Sequence, residues 1–337
     1  MRRALATARF GHQLQLNENP YGPPPSVRAA LAHALASANR YPEFLPQRLP
    51  RLIAERLGLA PDRVAVGAGA TGVIMHIVQE FGSAGAHVVM ATPTFDGYPI
   101  LTAMAGGHPV EVPLTGDGRQ DLAAIARAVD ERTRLVVLCS PHNPTGTLIA
   151  PAELAAFLRQ VPAGVMVVLD EAYVDFVVGA DRIEVAALLD RHPNLLVLRT
   201  FSKAYGLAAL RAGYALGHPE LIARIARWQL PFGMNALAEV AVRASYEAEP
   251  EIAARVRVIG EHRRRLTAGL RELGLSVPES HANFAYATLP GPDIDRVGTA
   301  LAGADIHVKH YPTGIRITVG DRAATEAVLD AVRSTVQ

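Results

Sequence analysis

The chain has 337 residues, more than one hydrophobic core usually serves, so a main domain and a smaller one are expected. Half of the residues are apolar and 19% are charged, which excludes a disordered chain. A formal net charge of +1, with no long basic or acidic run, gives no hold for nucleic acid. No apolar run approaches the ~20 residues of a membrane span. The N-terminal MRRALATARFGHQ has no apolar stretch of signal-peptide length. The one cysteine, Cys139, excludes an internal disulfide; both points fit a cytoplasmic protein. Cys139 ends an apolar run and reads as a small core residue rather than a nucleophile.

In chain order, QLNENPYGPPPSVRAAL is a Pro-rich extended segment running into a helix. It is expected to pack on the smaller unit. Seven short apolar runs then read as strands: 63–69, 87–93, 108–114, 134–141, 165–173, 194–202 and 211–217. Several are apolar on both faces, as in a buried, mainly parallel sheet. Helical patterns stand between them, at 71–82, 121–130 and 150–161, the last with Pro151 in its first turn. This alternation predicts an α/β domain over 40–235, with helices on both faces of the sheet. The pattern changes at 236–273 to long helices, whose basic stretch EHRRRL (261–266) reads as a solvated face. Strand candidates follow at 283–289, 305–311 and 314–320, then a helix at 321–334. This is a second, α+β unit over 236–337, with residues 1–39 as a segment packed on it.

In open α/β sheets, ligands sit outside the carboxyl ends of the strands. GAGATG after the first strand offers a helix start whose N–H groups can hold a phosphate. Phe95 after the second is an edge aromatic on which a flat ring can stack, or core packing. Asn143, between His142 and Pro144 in CSPHNPTG, has its amide held outside the sheet. Asp170 ends a buried strand, and a buried carboxylate requires a cation. The sixth strand delivers Thr200, Ser202 and Lys203. A buried lysine has a lowered pKa and is a nucleophilic amine suited to a Schiff base. Arg211 can pair with a phosphate. A single ligand accounts for the set: pyridoxal 5′-phosphate, with a phosphate, an aromatic ring, a ring nitrogen that needs an anion and an aldehyde that needs an amine. No metal is called for.

LNENPYGP, RYPE, SPHNPTG, LDEAYVDF, RTFSKAYGLAALRAGYALG, ANF and IRITVG occur in that order. This ordered set resembles the fold-type I pyridoxal-phosphate-dependent aminotransferases, in the histidinol-phosphate and aromatic amino acid (phenylalanine) branch, over nearly the whole chain. The resemblance implies that Lys203 is the Schiff-base lysine and proton shuttle. Asp170 would partner the pyridinium, with Asn143 and Tyr173 on the phenolic oxygen. Phe95 would stack on the ring. Ala70 and Thr71, with Thr200 or Ser202 and Arg211, would hold the phosphate. Tyr41 in RYPE would reach the phosphate of the other subunit's cofactor, which implies a homodimer with shared active sites. Arg316 would bind the substrate α-carboxylate with a bidentate fork. Tyr21 and Asn19 would lie near the substrate pocket, and Lys309 near a distal phosphate.

Two departures bear on the substrate. Gly69-Ala70-Thr71-Gly72 stands where histidinol-phosphate enzymes carry Gly-Ser-Asp-Glu, and Lys309 stands near where they tend to carry an arginine. The implied reaction is therefore amino transfer between an aromatic, phenylalanine-like L-amino acid and a 2-oxo acid such as 2-oxoglutarate. Histidinol-phosphate aminotransferase is the first alternative, and a lyase like threonine-phosphate decarboxylase the second. A cofactor-binding domain of a transcription regulator would be expected to carry an appended DNA-binding module, whereas this chain starts almost directly at LNENPYGP, and a plain dinucleotide-binding domain lacks G-x-G-x-x-G and leaves Lys203 unexplained.

Overall fold

The computed structural model describes residues 11–336, so the reading of the first ten residues as free of a signal peptide lies outside them. The strands are β1 (His12–Gln13), β2 (Val64–Ala68), β3 (His87–Thr92), β4 (His108–Pro113), β5 (Thr133–Cys139) and β6 (Met166–Asp170). Next come β7 (Leu195–Thr200), β8 (Ala212–Gly217), β9 (Phe284–Thr288), β10 (Ile306–His307), β11 (Lys309–Tyr311) and β12 (Gly314–Thr318).

Seven of them form one sheet in the order β2-β8-β7-β6-β5-β3-β4. Only β8 runs against its neighbours; the other pairings are parallel. Side chains alternate between two apolar faces. Met90, Val137, Val168 and Leu198 pack on one, and Val89, Val136, Val167 and Val197 on the other. Helices cover both. Gly69–Phe81, Gly97–Met104 and Pro219–Ala226 bury Ile77, Leu101 and Ile225 on the first face. Arg48–Leu57, Pro151–Gln160 and Val185–Arg191 bury Ile53, Phe157 and Leu189 on the second. Burial on both faces is why the strands read as continuous apolar runs. The strand expected at 165–173 stops at Asp170, because the Asp170 carboxylate accepts the Ala172 N–H (2.9 Å) and turns the chain.

A smaller antiparallel sheet, β11-β12-β9, is covered by the helices Glu249–Glu272, Gly291–Gly303 and Arg322–Val336. The expected strand 305–311 is divided at Val308. β10 pairs in parallel with β1, and β11 turns to pair with β12. The reading of EHRRRL as a solvated face needs one correction. Arg264 and Arg265 are exposed, but Arg263 is buried and donates to the Ala282 carbonyl (2.8 Å). The helical repeat sets Arg263 on the face of Ile259, Leu266 and Leu270, where its stem packs and its head finds a carbonyl.

The N-terminal segment divides its packing. Leu14 enters the core of the smaller sheet, and its backbone bonds to His307 and Thr318. Val27, in the helix Pro25–Ala34, enters the core of the large sheet. The helix Ala236–Glu247 also puts Ala238, Ala241 and Val242 there, so the change from one core to the other falls after this helix.

The carboxyl ends of β3, β5, β6 and β7 share one edge of the large sheet, as their parallel pairing requires, and β2 ends there too, since it and β7 both run against β8. Because β8 is antiparallel, its first residues lie at that same edge. Arg211, which precedes a strand, thus joins residues that follow strands.

Candidate active site

A cavity of about 350 Å³ opens at this edge, between the large sheet and β11-β12. Ala70, Thr71, Phe95, Asn143, Asp170, Tyr173, Thr200, Ser202, Lys203, Arg211, Lys309 and Arg316 all line it. Residues spread over 247 positions of sequence are thus gathered by topology alone (316 − 70 + 1).

Lys203 follows β7, and its Nζ donates to the carbonyls of Leu16 (3.0 Å) and Asn17 (3.1 Å). Burial, helped by the positive charges of Arg316 and Arg211, lowers its pKa from the ordinary 10.5 to about 8. Asp170 is 4% exposed. It accepts from the Tyr98 hydroxyl (2.6 Å) and the Ala172 N–H, and burial raises its pKa. No ion pair to it is present among the described residues.

Asn143 directs its side-chain oxygen at Arg316, which leaves its NH2 group for the cavity. Arg316, on β12, is 6% exposed and also donates to Gln15 O (2.5 Å) and the Tyr311 hydroxyl (3.2 Å). Its Nε is buried without a partner. The Tyr173 hydroxyl accepts from Asn17 Nδ2 (2.9 Å), and burial raises its pKa.

At the other end of the cavity the helix Gly69–Phe81 begins, and its first N–H groups have no helical partners. Gly69 has φ +74°, and a Cβ there would lie 2.2 Å from the Arg211 guanidinium. A Cβ on Gly213 would lie 2.3 Å from Ala70 N. The two glycines let Arg211 and the helix start approach each other. The Thr200 and Ser202 hydroxyls bond to each other beside them (3.0 Å). Phe95 lies edge-on to Tyr98 (5.8 Å), over Gly97, where a Cβ would meet its ring.

Lys309 faces Arg316 directly across the β11–β12 pair, so their side chains share a face. Its Nζ is 2.7 Å from Asp96, which follows Phe95 at the cavity mouth.

A profile of the family "Aminotransferase class I and II" matches residues 12–332. The chain belongs to this family. The aminotransferase is 42% identical over 323 residues to the aromatic amino acid aminotransferase of Thermobifida fusca, covering 96% of this chain and 89% of that one. It is 42% identical over 325 residues to the aromatic amino acid aminotransferase of Rhodococcus jostii, covering 96% and 90%. Its fold matches the crystal structure of histidinol-phosphate aminotransferase from Sinorhizobium meliloti in complex with pyridoxal-5′-phosphate, with a TM-score of 0.90 and 28% identity over 96% of this chain and 90% of that one.

Three expected site residues of the aminotransferase do not line the cavity of the single chain. Tyr41 is 83% exposed and stacks on Phe232 (4.8 Å). Asn19 spends its amide protons on the Lys203 and Ala204 carbonyls (both 3.0 Å), so it pins the lysine's backbone instead of facing substrate. Tyr21 is half-buried against the core of the smaller sheet. Sequence reasoning missed Gln15, Asn17, Asp96, Tyr98 and Tyr311, which contact the expected residues. Cys139 is buried in the sheet, as expected of a core residue.

Proposed function

We propose that this aminotransferase uses pyridoxal 5′-phosphate to move the amino group of an aromatic, phenylalanine-like L-amino acid to a 2-oxo acid such as 2-oxoglutarate. The residues present fit the cofactor. Asp170 is a buried carboxylate without an ion-pair partner among the described residues, and a protonated ring nitrogen would supply the missing charge. Gly69 and Gly213, where a Cβ would collide with the Arg211 guanidinium and with the helix start, let both anion-binding groups come together at one end of the cavity.

Bound there, the cofactor supplies an aldehyde for the amine and an electron-poor ring that stabilises charge at the substrate α-carbon. The chain's own groups do the rest. Arg211, the Ala70 and Thr71 N–H groups and the Thr200 and Ser202 hydroxyls hold the phosphate. Asp170 keeps a proton on the ring nitrogen, Asn143 and Tyr173 donate to the ring oxygen, and Phe95 covers the ring. With its pKa lowered to about 8, Lys203 Nζ has a far larger neutral, nucleophilic fraction near neutral pH than an ordinary lysine, and afterwards carries the proton to and from the α-carbon. Arg316 takes the α-carboxylate, with Nε still free to donate.

The observation that carries the choice of substrate is the pairing of Lys309 with Asp96. A distal phosphate would need a free cation at the mouth of the cavity. Lys309 is already neutralised there, and Asp96 would repel a dianion. Leu16, Ile74 and Tyr311 give the cavity apolar walls for an aromatic ring. The pair is exposed and worth roughly 0–1 kcal/mol, so Asp96 weakens anion binding there without abolishing it, and it repels a phosphate dianion more than the single distal carboxylate of a 2-oxo acid. Both curated relatives named above carry the aromatic name.

The test uses two variants on two amino donors. Lys309→Ala should change kcat/KM for phenylalanine less than about fivefold, while weakening use of 2-oxoglutarate. Asp96→Asn should raise turnover of histidinol phosphate several-fold. If wild type prefers histidinol phosphate and Lys309→Ala abolishes that preference, the aromatic reading is wrong.

We also propose a homodimer with shared sites. Tyr41, Phe44, Trp228, Leu230 and Phe232 are all exposed; Trp228 and Leu230 line a largely apolar groove that runs to Gly67, Ala68 and Gly72 by the phosphate cradle, and Tyr41 and Phe44 pack on Phe232, two residues from Leu230. An apolar surface of this extent marks a contact site, and a second copy would bring Tyr41 towards the cradle. We place the protein in the cytoplasm, in keeping with its one unpaired cysteine. Among the described residues no helix is long and apolar enough to cross a membrane.

A further inference from the structure

Asn17 belongs to LNENPYGP but has no role in the reading above. It is 1% exposed and has φ +54°, a conformation that asparagine and glycine tolerate. All of its polar groups are engaged. Its backbone N–H donates to Thr318 Oγ1 (2.9 Å). Its carbonyl accepts from Lys203 Nζ (3.1 Å) and Asn283 Nδ2 (3.1 Å).

The carboxamide's orientation follows from these bonds. The Thr318 oxygen accepts from the Asn17 backbone N–H and gives its own proton to Asn17 Oδ1 (3.1 Å). In this arrangement the NH2 end faces Tyr173, and it donates to the phenol oxygen (2.9 Å). The Tyr173 hydroxyl has one proton and, accepting from Asn17, directs that proton elsewhere. The charged and titratable groups around Tyr173 are Arg316, Lys203, Asp170 and Cys139, with Lys203 Nζ 5.8 Å from its ring centroid. Arg316 has no acceptor. Lys203 directs its amine at the Leu16 and Asn17 carbonyls, and the Asp170 carboxylate is engaged by Tyr98 and Ala172. The open direction is the cavity.

We infer that Asn17 is a positioning residue: its carboxamide, oriented by Thr318, aims the Tyr173 hydroxyl at the ring oxygen of the cofactor. The inference rests on the pyridoxal phosphate reading. It ties the N-terminal segment and β12 to the electronic state of the ring, through one side chain.

The test is a pH titration of the visible absorbance of the loaded protein, without substrate. A donor on the ring oxygen favours the form in which that oxygen carries charge. Tyr173→Phe should therefore raise the midpoint by roughly one to two units. Asn17→Gly keeps the left-handed backbone and its bonds and removes only the carboxamide. It should raise the midpoint by about half a unit, and add nothing in the Tyr173→Phe background. Thr318→Val, which leaves the carboxamide free to turn over, should shift the midpoint the same way, and it carries the comparison if Asn17→Gly does not fold. An unchanged midpoint in a folded, loaded Asn17→Gly protein overturns the inference. So does a shift that adds in full to that of Tyr173→Phe. A wild type without a visible cofactor band removes the underlying reading, and this inference with it.

Discussion

Lys203 occupies a place where a charged ammonium is disfavoured. Burial lowers its pKa to about 8, and Arg316 and Arg211 add to the shift. Between about 8 and 10.5 the unfolded chain holds a proton on this lysine that the folded chain lacks, so through this group folding stability rises with pH across that window. The same shift makes the amine reactive early. In cofactor-free protein, labelling of Lys203 with an amine-selective reagent should rise with a midpoint near pH 8, and Arg316→Ala should move it up by removing a cation. Peptide mass analysis reads both; a wild-type midpoint above 10 contradicts the assignment. At this scale the sequence was informative where chemistry follows a strand. Asp170, Asn143 and Lys203 could be found by listing what each apolar run delivers, and Arg211 by its place eight residues after Lys203. Tyr98, Asn17 and Asp96 could not, because they act on those residues from a helix or a loop, with no pattern of their own.

The strands were legible because two-sided burial leaves an unmistakable apolar run. Helices were less so. Gly97–Met104, Val185–Arg191 and Pro219–Ala226 are short and escaped the helical patterns read from the sequence. Nor does any periodicity reveal that a strand candidate will divide at Val308, since that depends on β1 arriving to pair with β10. If the phosphate sits as proposed, cofactor affinity depends on the join between β8 and the helix Gly69–Phe81. Gly213→Ala places a methyl 2.3 Å from Ala70 N by ideal geometry, and backbone must move to admit it. The helix start would then be pushed off the phosphate. A tenfold or greater rise in the cofactor dissociation constant is expected, since one charged hydrogen bond is worth about 1.5–3 kcal/mol. Fluorescence titration with pyridoxal phosphate measures it; wild-type affinity in a folded variant would show that the cradle is not the phosphate site.

Two sheets with separate cores meet at the cavity, so the whole molecule assembles a site that neither sheet contains. The α/β class and the smaller α+β unit could be read from the order of elements. The exposure of Tyr41 could not, because it is set by how the elements pack and leaves no mark in RYPE itself. If this surface meets a second copy, as proposed, Lys203→Ala and Tyr41→Phe chains should complement. A mixed dimer pairs the intact Lys203 of one chain with the intact Tyr41 of the other, restoring one site. Mixing and reassociation should raise activity above either parent; a fully active monomer in analytical ultracentrifugation would contradict the shared site.

The central claim is that this aminotransferase takes its amino group from aromatic amino acids. It is tested most directly by half-reactions of the purified, loaded enzyme, following the cofactor's absorbance after mixing with phenylalanine, tyrosine, histidine, glutamate, branched-chain amino acids or histidinol phosphate. The expected result is a fast change with phenylalanine and tyrosine, reversed by 2-oxoglutarate, and a slow one with histidinol phosphate. A change that is fastest with histidinol phosphate, or absent with every aromatic amino acid, would contradict it.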